Sequence, residues 1–153
     1  MKVMSLENLW DNIKESQVVL PETIAGKAIE GFNQKTLEMK KNLYFELRRG
    51  TNREDKRFDL LLLAPELGGY SLLVSVFRYP VSKIYPCTLY NCFLDEDSEH
   101  YERYCIDSDD FEQGLVSILG SEPMKNAISA LLSQCAEDPN LKSHYVPTDD
   151  LPF

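Results

Sequence analysis

The sequence predicts an α+β fold with a central antiparallel sheet of four to five strands, two N-terminal helices, two C-terminal helices and a polar C-terminal tail. Two observations lead to this prediction. In the segment 58–77, two runs rich in Leu and Val flank Gly68 and Gly69, and a glycine pair supplies the positive φ angles of a tight β-hairpin turn. Apolar residues also repeat at every second position mid-chain and at helical spacing toward both ends.

The strands are predicted from this alternation. Residues 60–63 are all leucine, and a run that is apolar at both parities is typical of an interior strand covered on both faces. Residues 43–47 alternate apolar with polar side chains, which predicts a strand buried on one face only. Further strands are expected over 70–79, 87–93 and 101–106, and the short connections between neighbours make the sheet antiparallel.

Four helices are expected around the sheet. Leu6, Leu9, Trp10 and Ile13 follow Ser5 at the spacing of one helical face, which predicts a first helix over residues 5–16. A second should begin at Pro21 and reach about Thr36. The two C-terminal helices are predicted by start and stop signals and by two apolar stripes. The first of these helices starts at Asp107–Asp110, stops at Gly120 and has the apolar stripe Phe111, Leu115, Ile118 and Leu119. The second starts at Ser121 and has the apolar stripe Met124, Ile128, Leu131, Leu132 and Cys135.

Length and composition favour one domain over residues 1–137, followed by an acidic tail over 138–153 that is too polar to order itself. The first residues do not lead into an apolar leader region, and no run of 18 apolar residues occurs. We therefore expect a cytoplasmic protein without membrane association. Four cysteines are too few for the framework of a small secreted domain, so reduced thiols are expected.

The charge is uneven along the chain. Residues 94–153 hold 3 basic and 14 acidic side chains, whereas the whole chain has a net charge of −9. A domain that grips duplex DNA by its phosphates would need a basic excess instead. An acidic face that meets a basic protein is the better interpretation, as in small inhibitors and immunity proteins of similar size and charge. The residues predicted to form that face are Asp95, Glu96, Asp97, Glu99, Asp109 and Asp110.

Basic and aromatic residues are interleaved around the first predicted hairpin turn. Single-strand-binding surfaces combine such residues, because arginines neutralise phosphates while rings stack on bases. A charged hairpin tip without any ligand explains the same pattern. The weak candidates for nucleic-acid contact are Tyr44, Arg48, Arg49, Arg53 and Arg57.

No catalytic, cofactor or metal motif is predicted. Cys87, Cys92, His100 and Cys105 are ligand types for zinc, but their spacing matches no recurrent zinc pattern, and Cys87 and Cys92 should point to opposite faces of one strand. Buried cysteines with one surface histidine are the favoured interpretation. The acidic run from Asp95 lacks the order of a calcium loop. No acid, base and nucleophile set can be assembled, so a non-enzymatic protein is expected.

The chain closes on Asp149, Asp150, Leu151, Pro152 and Phe153. This tip resembles the acidic C-terminus of bacterial single-stranded DNA-binding proteins, which end on several Asp, then Ile or Leu, Pro and Phe. The resemblance covers five residues and implies docking on replication, recombination and repair enzymes. Phe153 would enter an apolar pocket, and the two aspartates would meet basic residues around it.

We therefore expect a non-enzymatic, cytosolic protein-binding module of the inhibitor or immunity type, acting on a basic partner through its acidic face. The alternative is an accessory factor of bacterial or phage single-stranded DNA metabolism that docks through its tip. The sequence does not indicate an oligomeric state.

Overall fold

The computed structural model describes residues 6–50 and 54–144. A 3-10 turn, Leu6–Asn8, precedes three helices and five strands. The helices are α1 (Pro21–Glu38), α2 (Ser108–Leu119) and α3 (Glu122–Gln134), and the strands are β1 (Tyr44–Arg49), β2 (Asp55–Ala64), β3 (Tyr70–Pro80), β4 (Cys87–Asn91) and β5 (Glu102–Cys105). The predicted α+β class is confirmed.

The five strands form one antiparallel meander in the order β1-β2-β3-β4-β5. The turn between β2 and β3 contains Gly68 and Gly69 at φ angles of 67° and 74°, which side chains with a Cβ rarely adopt. Strand β2 is hydrogen-bonded on both sides, so its predicted interior position is confirmed. The prediction that both of its faces are covered is wrong, because Arg57 and Leu61, on the face away from the helices, are exposed and only partly buried, respectively. A register shift between Leu60 and Leu61 gives β3 one extra residue at Val74.

The three helices pack against one face of the sheet, and no helix within residues 6–50 and 54–144 covers the other. The core lies on the helix face, where apolar side chains of the strands meet those of all three helices. Its fully buried members include Leu60, Leu62, Phe77, Leu89, Phe111, Leu115 and Met124. Gly114 allows α2 to approach the sheet closely, since a Cβ there would lie 2.8 Å from Cδ2 of Leu89. On the opposite face, which we call the open face, Arg57, Leu73 and Arg78 are exposed, whereas Tyr44, Leu63 and Val76 are buried.

The prediction of two N-terminal helices is wrong for the described residues, because a 3-10 turn stands where the first helix was expected. Leu6, Leu9, Trp10 and Ile13, the apolar face of that predicted helix, are 86%, 41%, 69% and 68% exposed. A short helix is marginal in water unless tertiary packing buries its apolar side. Periodicity alone therefore did not produce a helix here.

Both C-terminal helices are present, and their predicted caps are confirmed. The Asp107 side chain accepts a hydrogen bond from the Asp110 N–H, and the Ser121 hydroxyl accepts one from the Met124 N–H. These contacts satisfy backbone donors that the first helical turn leaves unpaired. The described residues thus contain three helices in place of the four expected.

Residues 138–144, the start of the predicted tail, contact the domain. The Asp138 N–H donates to the Lys40 carbonyl over 2.8 Å, and Leu141 is buried. The His144 ring lies 4.9 Å from the Tyr44 ring in a stacked arrangement. This stretch therefore packs beside β1, an edge strand.

The edge of β1 is also closed by α1. The Asn33 side chain donates to the Phe45 carbonyl over 2.9 Å and accepts from the Phe45 N–H over 2.7 Å. The amide thus replaces part of a neighbouring strand, which reduces the tendency of an exposed edge to pair with another chain.

Candidate functional site

The acidic residues predicted to bind a partner lie in two groups at opposite ends of β5. Asp95, Glu96, Asp97 and Glu99 belong to the loop between β4 and β5, and all four are exposed. Glu99 lies 3.6 Å from the exposed His100 ring. Asp109 and Asp110 belong to the first turn of α2. Because a four-residue strand spans roughly 13 Å, the predicted acidic face is divided into these two groups.

Within the second group, Asp109 and Asp110 have different environments. Asp109 is exposed, whereas the Asp110 carboxylate accepts from the Arg103 guanidinium at 2.6 Å and from the Ile106 N–H at 3.1 Å. The hydrogen bond from Arg103, together with that from Ile106, lowers the pKa of Asp110 below its usual value. Asp110 therefore ties α2 to β5 within the domain, which leaves Asp109 as the side chain of this pair that faces solvent.

Replacing Asp110 with Asn should lower the free energy of unfolding by about 1 kcal/mol at neutral pH, because a charge-assisted contact with Arg103 is lost. The folded-state pKa is depressed, so this stabilisation is present above the unfolded carboxyl pKa of about 4 and is lost as pH falls through the folded value. Denaturant unfolding from pH 7 to pH 3 measures it. The difference between wild type and variant should shrink in acid. Asp109→Asn serves as the control at neutral pH, since it removes the adjacent carboxylate without removing the contact with Arg103.

A groove lies between α1 and α2, beside the second acidic group. It has a volume of about 460 Å³ and is lined by Val19, Ile24, Lys27, Ala28, Ser108, Asp109, Glu112, Leu115 and Val116. Val19 and Val116 are 47% and 60% exposed, and Asp109 and Glu112 are exposed as well. The α1–α2 groove therefore combines accessible apolar side chains with a rim of two carboxylates, Asp109 and Glu112, and one exposed lysine, Lys27.

Sequence reasoning did not find this groove. A usable signal was the position of Val116, an apolar residue on α2 that is out of phase with the buried stripe of Phe111, Leu115 and Ile118. The sequence around Val19 shows neither helical nor strand periodicity, so it offered no comparable signal. Only the packing of α1 beside α2 places these two valines on one surface.

The predicted nucleic-acid residues do not form one cluster. Tyr44 is buried against His144, so its ring is not accessible to a base. Arg48 and Arg57 lie on the open face, whereas Arg49 lies on the helix face together with Phe45. Arg53 lies outside the described residues. Of the four residues that the structure describes, Arg48 and Arg57 thus share one face of the sheet, while Tyr44 is buried and Arg49 lies on the other face.

The cysteines are free thiols, and Cys87 and Cys105 lie opposite each other in the β4–β5 register. Burial raises the pKa of the Cys87 thiol to about 12 and that of Cys105 to about 11, which disfavours the nucleophilic thiolate form. In residues 6–50 and 54–144, no three His, Cys, Asp or Glu side chains come together as a possible metal site.

The predicted tip, Asp149 to Phe153, lies outside the described residues. Within the part of the chain that the structure describes, no helix is long and apolar enough to cross a membrane. Comparison of the chain with protein-family models, with curated proteins and with solved structures found no match.

Proposed function

We propose that this protein is a non-enzymatic binding module for a basic protein partner, and that the partner docks at the α1–α2 groove. The observation that carries the proposal is the combination of exposed Val19 and Val116 with the carboxylates of Asp109 and Glu112 around one groove. Protein interfaces commonly have an apolar centre surrounded by a polar rim.

The two parts of the groove would have different roles. Burying the exposed valines against a partner would supply affinity, because apolar surface is removed from water. The rim carboxylates would supply specificity and a faster encounter with a basic surface. Ile106, two residues before Ser108, is 70% exposed and extends the apolar surface at this end of the domain.

The other parts of the proposal, which concern catalysis, cellular location and the acidic loop, are taken from the sequence predictions. Two of the four thiols are held in their protonated form by burial, and we assign the protein no catalytic step of its own. A cytoplasmic location agrees with free thiols. The acidic loop at Asp95 is proposed as a secondary contact on the same basic partner.

Reversing both acidic rim charges, Asp109→Lys with Glu112→Lys, should weaken partner binding about tenfold, because attraction becomes repulsion at the groove. The partner is first captured at low salt on the immobilised wild-type chain and identified. Its affinity for each purified variant is then measured by calorimetry.

The matched control is Asp95→Lys with Glu96→Lys, which changes the net charge equally at the other acidic group. The proposal predicts a smaller effect for this control. If the loop variant loses as much affinity as the groove variant, or more, the groove is not the principal docking site.

A second candidate function is favoured by the tip. Residues Asp149 to Phe153 keep the order of two acids, Leu, Pro and Phe that resembles single-stranded DNA-binding proteins. On this proposal the chain is an accessory factor that docks on replication or repair enzymes. Phe153 acts as the anchor, and the two aspartates contact basic residues on the enzyme.

A further inference from the structure

Two arginines lie directly opposite each other on the open face of the sheet. Arg57 of β2 pairs with Arg78 of β3 in the strand register, and both side chains are about half exposed, at 49% and 47%. Like charges at directly opposed positions destabilise a sheet. A binding site for an anion is one arrangement that makes use of such a pair.

The two arginines share a cavity with two tyrosines. The cavity has a volume of about 320 Å³, and this volume lies within the size range of small-ligand sites. Its lining residues are Arg57, Val76, Arg78, Tyr90 and Tyr101. Val76 is buried at its floor. The Tyr90 and Tyr101 ring centroids are 5.4 Å apart, so two aromatic rings border the guanidinium pair.

Each of the two arginines lies beside an aspartate, and these contacts leave N–H donors of the guanidinium groups for a ligand. Asp59 accepts from Nε of Arg57 at 3.1 Å, which uses one of the five N–H donors of that guanidinium. Asp55 lies 3.9 Å from Nη1 of Arg78, a distance longer than a hydrogen bond. The Arg78 guanidinium also lies 5.8 Å from the Tyr90 ring centroid, which orients it over an aromatic face.

We propose that the open face carries a nucleotide-binding site in which Arg57 and Arg78 hold a phosphate and Tyr90 and Tyr101 contact the aromatic base. Planar guanidinium groups bind phosphate oxygens with two parallel hydrogen bonds. Tyrosine rings stack on any base, because every base has an aromatic face. The chemistry fits a free nucleoside phosphate and equally one unit of a single strand. The site is independent of the α1–α2 groove and of its partner.

The probe is a dye-labelled oligothymidine, and its binding to the 153-residue protein is followed by fluorescence anisotropy at low salt. Arg78→Ala and Arg57→Gln should each weaken binding at least tenfold, and Tyr90→Leu at least fivefold. The control is Arg48→Ala, which removes an arginine of equal exposure, 49%, on the same face but outside the cavity. Melting curves establish that each variant is folded.

Competition identifies the source of the nucleotide. Complete displacement of the oligothymidine by thymidine monophosphate would assign the site to free nucleotides, and binding of the oligonucleotide alone would assign it to single strands. Either result supports the site if Arg78→Ala abolishes it. The proposal is overturned if neither probe binds, if Arg48→Ala weakens binding as much as Arg78→Ala, or if inorganic phosphate competes as well as the nucleotide does.

Discussion

Truncation of Leu62 to Ala is expected to lower the free energy of unfolding by about 2–5 kcal/mol. Leu62 has no solvent exposure and lies on the helix face of β2, between Phe45 of β1 and Leu72 of β3. Removing the methine and two methyl groups there loses their transfer free energy and leaves a cavity that the close-packed neighbours fill only in part. Urea unfolding at equilibrium measures the loss.

The neighbouring leucine provides a matched control. Leu61 faces the other side of the sheet, opposite Glu46 and the 40% exposed Leu73, and it is only partly buried. The same change, Leu61→Ala, should therefore cost less than half as much. Equal losses at the two positions would mean that the open face is as well covered as the core.

Deletion of Phe153 is expected to weaken binding to enzymes that recognise the tail of single-stranded DNA-binding proteins by at least about 2 kcal/mol, a loss near thirtyfold. The deletion removes a buried aromatic contact and leaves basic groups of the enzyme unpaired. Calorimetry with one such enzyme compares the full 153-residue chain with the chain lacking Phe153. A free peptide of that tail should compete with the full chain. Salt should weaken binding, because the contacts proposed for Asp149 and Asp150 are between opposite charges.

Melting curves of the same two proteins separate docking from folding. An anchor for another protein should leave the melting temperature unchanged when it is removed. A drop on deletion would show Phe153 packed on its own domain, and equal binding by both chains, or none by either, would contradict the tip proposal. In either case the α1–α2 groove would remain the candidate for partner binding.

The sequence alone determined the sheet and the three helices α1, α2 and α3, because the signals for these elements are local. Gly68 and Gly69 specify a turn by their own backbone freedom, and the leucine run at 60–63 specifies an interior strand. Asp107 and Ser121 predict helix starts because each side chain accepts a hydrogen bond from the N–H group three residues further along the chain. Such contacts need no other part of the chain.

Tertiary structure decided the elements and surfaces that depend on distant residues. The stripe of Leu6, Leu9, Trp10 and Ile13 indicates an apolar helix face. These four side chains stay exposed, and a 3-10 turn stands in place of the predicted helix. Asp110 contacts Arg103 while Asp109 faces solvent, and this difference arises only because β5 lies beside α2.

The candidate sites follow the same distinction. Arg57 and Arg78 are 21 residues apart in the sequence and become neighbours only through the β2–β3 register. The tyrosines beside them are Tyr90 of β4 and Tyr101, which directly precedes β5. Val19 and Val116 meet at one groove only because α1 packs against α2. Local periodicity encodes which side of an element is apolar, but which side chains share a site is set by register and helix packing.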